Sequence, residues 1–284
     1  MSSFKIASNI GALEAYNALA KLNSQTQKAQ LRLATQKRIN SVADDTSGFN
    51  IGKSLEAKVS LMQAAQKNVG SAKDMLATAE SQLVSLRDMI TQIKAKVADS
   101  GNAAADLDAL VSDVKAIANE MQNAIDNTKF NDTELLTSTA ANSGGTFTFQ
   151  TGVGTTEELD VDYAAGTLQS DFTTLKSEID SLPASDAART DFTATDLTNA
   201  IDGVETAVVD SLGKIGNFLQ RLDAKEDFLT SAITNSEASV SRLFDADIAL
   251  EQLNATKASI GAQAATAMVA QLNMSPQQVL QLFG

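Results

Sequence analysis

Two pairs of carboxylates, Asp44 with Asp45 and Asp245 with Asp247, are the residues of this chain whose types and spacing come nearest to a chemical site. Neighbouring carboxylates can hold a cation or share a proton as an acid–base pair. Asp also caps helices, by accepting hydrogen bonds from the first free backbone N–H groups. Capping is the preferred reading for both pairs, with a salt bridge from Arg38 or a neighbour to the first pair and from Arg242 to the second. Composition narrows the chemistry further. The chain has neither His nor Cys, which removes thiolate nucleophiles, His general bases, disulfides and Cys/His zinc sites. A carboxylate-based enzyme remains formally possible and is the least favoured reading: no catalytic residue, metal ligand or cofactor is expected.

The two ends of the chain carry a different signal. From Ala258 to Gly284 no side chain is charged, although the whole chain has a formal net charge of −13. Gln263, Gln271, Asn273, Gln277 and Gln278 interrupt this tail and Pro276 breaks it, so it does not supply the roughly 20 predominantly apolar residues of a membrane span. Its apolar positions Leu253, Ile260, Met268, Leu272, Leu280 and Leu282 describe instead a helix face that requires a protein partner. The N-terminal segment has the same character: before Lys21 only Lys5 and Glu14 are charged, and Ile6, Ile10, Leu13, Tyr16 and Leu19 recur at helical spacing. Its first residues lack the continuous apolar stretch of a cleaved signal peptide, so export would use another route. The chain is strongly acidic, and no stripe of Lys and Arg is visible in the linear sequence. Neither nucleic acid nor membrane is therefore an expected partner.

These residues need elements to position them. Aromatic residues make up only 5% of the chain and Trp is absent, which points to long helices packed side by side. Leu55, Val59, Met62, Ala65, Val69, Ala72, Leu76, Ala79, Leu83, Leu86, Ile90, Ile93 and Val97 recur about every 3.5 residues, the coiled-coil period. A helix is predicted from about Asn50 to Ala98, stopped by Asp99-Ser100-Gly101-Asn102. A second helix, capped by Asp106, returns antiparallel through Leu107, Leu110, Val114, Ile117, Met121 and Ile125. The stretch from Thr137 to Gly166 is rich in Thr, Gly and Ser. Within it Thr146–Gln150 and Leu159–Tyr163 alternate with period two around Gly152-Val153-Gly154, which predicts a β-hairpin lying against the helices. Pro183 to Thr195 reads as loop and short helix. From Asp196 a second long rod runs through Leu197, Ile201, Val204, Val208, Leu212, Ile215, Leu219, Leu222, Leu229, Ile233, Val240 and Leu243. The fold class is thus mainly α: long antiparallel helices forming a coiled-coil-like bundle from both chain ends, with a small β-hairpin region in the middle.

The order of several motifs along the chain resembles bacterial flagellin. Leu31-Arg32-Leu33 followed by Arg38-Ile39-Asn40-Ser41-Val42-Ala43-Asp44-Asp45-Thr46-Ser47-Gly48 is similar to the family's segment between its inner terminal helix and its first long helix. Ser241-Arg242-Leu243-Phe244-Asp245-Ala246-Asp247-Ile248-Ala249, Gln263-Ala264-Ala265-Thr266-Ala267-Met268 and Ser275-Pro276-Gln277-Gln278-Val279-Leu280 match its C-terminal pattern. Thr128-Lys129-Phe130-Asn131 and Phe147-Thr148-Phe149-Gln150-Thr151-Gly152 resemble two interior landmarks. One departure stands out: Gln36-Lys37 replaces the family's usual small Ser-Gly pair, so the local turn there is expected to be helical.

The resemblance implies a structural subunit that polymerises into the flagellar filament, outside the cell, without a cleaved signal peptide. The alternative it leaves open is a hook–filament junction protein of the same export system. It further implies an inner core domain built from residues 1–45 and 241–284, around a helical rod domain with hairpin over residues 46–240, with little else inserted. The terminal segments would be disordered in free monomers and fold on assembly. Ile6, Ile10, Leu13, Leu253, Ile260, Ala264, Met268, Leu272 and Leu280 are then expected to pack between subunits. Arg38, Asn40, Asp44, Asp45, Gly48, Arg242, Asp245 and Asp247 would form the connector between domains. The implied partners are further copies of the chain, an export chaperone on the C-terminal segment, the flagellar type III export apparatus, and hook-associated junction and cap proteins.

Overall fold

The apolar stripe that recurs about every 3.5 residues becomes the buried side of a single helix. The chain is described by a computed structural model covering residues 10–102, 105–137, 146–154, 156–183 and 195–283. Its elements in order are α1 (Ile10–Thr35), α2 (Thr46–Ser100), α3 (Leu107–Asn127), β1 (Lys129–Phe130), β2 (Thr133–Glu134), β3 (Thr146–Gln150), β4 (Glu158–Asp162), α4 (Ala165–Ser181), α5 (Thr195–Phe244) and α6 (Ile248–Phe283). They fall into two compact units, one of Met1–Val59 with Thr234–Gly284 and one of Ser60–Ile233.

In the second unit α2 buries Met62, Ala65, Val69, Ala72, Leu76, Ala79, Leu83, Leu86, Ile90 and Ile93, the positions the heptad spacing singles out. The helix stops where expected, with Gly101 N donating to Ala98 O, and Asp106 caps α3 by accepting from Ala109 N at 3.1 Å. Lys96 and Asp113 pair across the turn at 2.7 Å, so α3 runs back along α2. The long rod α5 is antiparallel to α2 as well: Lys94 meets Asp202 and Glu205, Lys73 meets Asp223 and Glu226, and Gln66 donates to Thr230. Hydrogen bonds to Asp223 and Glu226 hold the Lys73 ammonium well above the usual lysine range. Val204, Val208, Ile215, Leu222 and Leu229 of α5 complete this core.

The middle of the chain holds more structure than the expected hairpin and connectors. Helix α4 buries Leu168, Phe172, Leu175 and Ile179, and Lys176 of α4 donates to Asn119 of α3 at 2.9 Å. A second, shorter hairpin pairs Lys129 with Glu134 and Phe130 with Thr133. Asn131 and Asp132 at its tip take φ of 49° and 61°, the left-handed pair of a two-residue type I′ turn. The run from Pro183 to Thr195, read as loop and short helix, lies almost wholly outside the described residues.

The expected hairpin is present in register, Phe147 opposite Val161 and Phe149 opposite Leu159, with those side chains facing inward. Tyr163 anchors it. Its ring stacks on the half-buried Phe147 at 5.9 Å, and its hydroxyl donates to Leu135 O at 2.6 Å, where Tyr163 and Leu135 are both fully buried. Burial pushes the Tyr163 phenol above its ordinary range and keeps it neutral. Tyr163→Phe strands a buried carbonyl while keeping the ring, so a loss of about 1–3 kcal/mol in urea unfolding is expected. An unchanged midpoint would show that the stacked ring alone holds the hairpin.

Candidate assembly interface and connector

The first unit is built on two helices that neither stretch of sequence could hold folded alone. An amphipathic helix draws most of its stability from the surface it packs on, and α1 and α6 pack on each other. Arg32 meets Glu251 and Leu22 meets Gly261, so the two run antiparallel. On α1 the covered positions are Ala12, Ala15, Leu19, Leu22, Thr26, Ala29 and Leu33; on α6 they are Glu251, Ala255, Ala258, Ala262, Ala265, Val269 and Leu272. Both sets step alternately by three and four residues, which is a coiled-coil seam. Half of these positions are alanine, and a Cβ on Gly261 would sit 3.2 Å from Leu22 Cδ2, so the backbones approach closely. One charged pair is inside it: Arg32 Nη1 donates to Glu251 Oε1 at 3.1 Å, with Glu251 buried.

Leu19, Leu22, Leu33, Val269 and Leu272 enter the seam, but several other large apolar side chains point elsewhere. Ile10, Leu13, Leu253, Ile260 and Met268 are all more than half exposed, Ile260 at 62%, and Ala264 is exposed beside them. Of the nine positions expected to pack between subunits, these six lie outside the seam. Leu272 turns into the seam and is half-buried. Ile6 lies outside the described residues, as does the side chain of Leu280. The stretch after Lys257 carries no charge, so from Ile260 onward no ionic side chain of α6 lies along this exposed apolar stripe. The alanine seam was legible in the three-and-four spacing of Ala255, Ala258, Ala262 and Ala265, but attention to large side chains passes over it.

The connector closes the other end of the α1–α6 pair. Helix α1 does not continue through Gln36-Lys37, contrary to the expectation of a helical turn. Gln36 is left-handed, with φ of 58°, which is how helices commonly end at this position. Lys37 is then extended and pairs with Asp245 as an antiparallel bridge, with Ala246 N donating to Gln36 O at 3.0 Å and Arg38 N donating to Phe244 O. The two chain crossings are thereby tied by backbone.

The four carboxylates are caps and turn braces, but their ion pairs differ from those expected. Asp44 Oδ2 accepts from Asn40 N at 3.2 Å and from Ser41 N at 3.1 Å; Lys28, not Arg38, is its cation, at 3.9 Å. Burial works against its charge, yet those backbone hydrogen bonds outweigh it and keep the carboxyl below its ordinary range. Asp45 Oδ1 accepts from Gly48 N at 2.9 Å at the start of α2. A Cβ on Gly48 would fall 2.4 Å from Asp45 Oδ2, so the cap requires glycine there. Arg38 donates instead to Leu243 O at 3.1 Å. Asp247 caps α6 through Ala249 N and Leu250 N, and Asp245 accepts from Ser241 Oγ. Arg242 reaches Ser239 Oγ at 3.1 Å, and no ion pair joins it to either carboxylate among the described residues. Backbone N–H groups lie nearer to these carboxylates than the arginines do, and a local cap costs less side-chain entropy than ordering a long cation.

The fixed point of the connector is Phe244, a residue the sequence reading passed over. It is fully buried, meets Phe49 edge to face at 6.2 Å, and carries the Lys37 ammonium 5.3 Å from its ring centre. Gly52 makes room for it: a Cβ there would lie 2.1 Å from Phe244 Cε2.

Comparison with known proteins places these features. Residues 6–141 match the family model for the bacterial flagellin N-terminal helical region, and residues 198–283 that for the C-terminal helical region. Flagellin of Bacillus subtilis (strain 168) is 30% identical, the alignment covering 98% of this chain and 99% of the relative. Flagellin of Listeria innocua serovar 6a is 27% identical over the same shares of the two chains. A structure described as a flagellar hook-associated protein from Vibrio parahaemolyticus superposes with a TM-score of 0.55 at 16% identity, covering 71% of this chain and 100% of that one. That last likeness is one of fold alone.

Proposed function

We infer that this chain, which belongs to the bacterial flagellin family, uses the exposed stripes of α1 and α6 to pack against other copies of itself. It is a structural subunit of the flagellar filament. The observation that carries the packing role is the apolar stripe of Ile10, Leu13, Leu253, Ile260 and Met268, left uncovered by the α1–α6 seam. Leaving such side chains in water costs about 1.5–3 kcal/mol each relative to burial, and after Lys257 the stripe has no charged side chain along it. In this reading residues 1–45 and 241–284 form the inner core of the filament, residues 46–240 surround it, and the residues from Arg38 to Gly48 with Arg242 to Asp247 join the two.

The family is one of structural proteins, and the two carboxylate pairs singled out in the sequence serve as caps and turn braces, which supports a role without catalysis. Export through the flagellar secretion apparatus, a chaperone on the C-terminal helix, and junction and cap proteins at the filament ends are the partners this reading entails. Both matching family models and both relatives are flagellins, and no observation favours the hook–filament junction alternative.

The test is direct. Purified full-length chain is expected to form sedimentable filaments above a critical concentration, with polymer mass rising linearly beyond it. Protein that stays in the supernatant at every concentration, with or without filament seeds, would overturn the reading.

A further inference from the structure

Lys214, Phe218, Arg221, Lys225 and Phe228 follow one another along one side of α5 at alternating steps of four and three residues. The Arg221 guanidinium sits 5.3 Å from the centre of the Phe218 ring, and Lys225 Nζ 5.9 Å from that of Phe228. Phe228 is 62% exposed, and Lys214 and Arg221 are exposed beside it. None of the three cations makes an ion pair within 4 Å among the described residues, although Lys225 adds, behind the backbone N–H groups of Gly154 and Val153, to what holds the Glu157 carboxyl below its ordinary range. Asp223, Glu226 and Asp227 interleave with these cations in sequence, but the helix turns Asp223 and Glu226 toward Lys73. From Lys214 to Phe228 the stripe itself carries only cations and aromatic rings, with the exposed Asp210 one helical step before it and Asp227 off its line, on a chain of net charge −13.

The opposite face is on the same unit. Strand β4 buries Leu159 and Val161 and exposes Glu158, Asp160 and Asp162. Their cross-strand neighbours are Gln150, Thr148 and Thr146, all neutral. Carboxylates on one strand face recur about every 7 Å, and like charges so placed repel unless a cation lies opposite. Within one copy no ion pair joins these carboxylates to α5.

We propose that the cation–aromatic face of α5 docks on the anionic outer face of β4 in a second copy of this chain. The proposal rests on the filament reading above. Two different faces meeting make a heterologous contact, which repeats from copy to copy instead of closing on itself. That is the kind of contact a filament needs. Arginine and exposed aromatic rings are the side chains that carry most energy at such surfaces. A polyanion such as nucleic acid or an anionic lipid fits less well, because the acidic body repels it at long range and three cations offer few phosphate contacts.

The experiment uses full-length chain carrying Arg221→Glu with Lys225→Glu, Glu158→Lys with Asp160→Lys, or all four. Each pair is expected to raise the critical concentration for polymerisation on the order of tenfold or more, because it sets like charges against each other. The fourfold variant is expected to return it to near the wild-type value. Added salt should narrow the gap between wild type and the paired variants. Arg221→Gln with Lys225→Gln, which keeps size and removes only charge, should act in the same direction with a smaller shift. Monomer melting should move little, since Arg221, Glu158 and Asp160 are exposed and Lys225 is half-buried, and the change should not follow the pattern of loss and rescue in the critical concentration. An unchanged critical concentration overturns the proposal, and so does a rise that the fourfold variant fails to rescue. Unchanged polymerisation with lost adsorption to phosphatidylglycerol vesicles overturns it in favour of a lipid partner. Wild-type chain that never polymerises overturns the filament reading itself, which keeps the two failures apart.

Discussion

Ile260→Asp leaves a soluble, largely helical monomer and no filament. The side chain is 62% exposed in the single chain, so a carboxylate there is solvated and the α1–α6 seam, formed by Ala258, Ala262 and Ala265, is untouched. In the polymer the same position is expected to be buried. An unpaired charge in such a place costs several kcal/mol, and each 1.4 kcal/mol is a factor of about ten in affinity. The critical concentration should therefore rise on the order of a hundredfold or more, beyond the range in which sedimentation detects polymer. Met268→Lys, on the same helix, should behave alike. Ala262→Asp is the informative contrast, because Ala262 faces α1: it should loosen the helix pair itself, which hydrogen exchange along α1 reports. If Ile260→Asp filaments form at the wild-type concentration, this face of α6 is not an interface.

The difference between those two substitutions also marks what the sequence could and could not convey. Periodicity made α2, α3, α5 and the Phe147–Tyr163 hairpin legible, because each buries a regular row of large apolar side chains. It conveyed the exposed stripe of α6 for the same reason. The seam was harder to see, since alanine contributes little to an apolar pattern and its role is to let two backbones approach. Helix α4 has an equally regular row, Leu168, Phe172, Leu175 and Ile179, but it follows directly on a Thr- and Gly-rich stretch that reads as loop. The short hairpin at Lys129–Glu134 was signalled only by Asn131-Asp132, a pair that tolerates left-handed backbone.

Ion pairs were the least legible feature. Sequence proximity suggested Arg38 for Asp44 and Arg242 for Asp245, whereas the fold gives Asp44 to Lys28 and the Arg38 guanidinium to Leu243 O. A long cation can reach many acceptors within one turn of chain, and which it meets depends on tertiary placement. Caps are different. The acceptor lies within a few residues of its donors, so Asp44, Asp45, Asp106 and Asp247 could be identified as braces from composition alone.

Gly52→Leu should release the connector. Gly52 is buried in the first turns of α2, and even a Cβ there would lie 2.1 Å from the ring of Phe244. Phe244 cannot simply swing aside: Phe49 packs against one edge, Lys37 lies over its face, and its own carbonyl receives Arg38 N. Leucine must therefore expel the ring, and losing a buried Phe from its site costs about 3–5 kcal/mol. Better helix propensity returns roughly 1 kcal/mol of that, leaving a large net destabilisation confined to the connector. With Phe244 displaced, the bridge between Lys37 and Asp245 loses the ring that holds it, and the two chain crossings should become open to protease between Gln36 and Gly48. Filaments of this variant, if they form, should shed their terminal segments under limited trypsin digestion while the helices of residues 60–233 resist. Gly203→Ala and Gly213→Ala supply the control, since a Cβ at either meets nothing within 4 Å; each should stabilise its helix by about 0.5–1 kcal/mol. A Gly52→Leu connector as resistant as wild type would show that Phe244 is not what holds the crossings together.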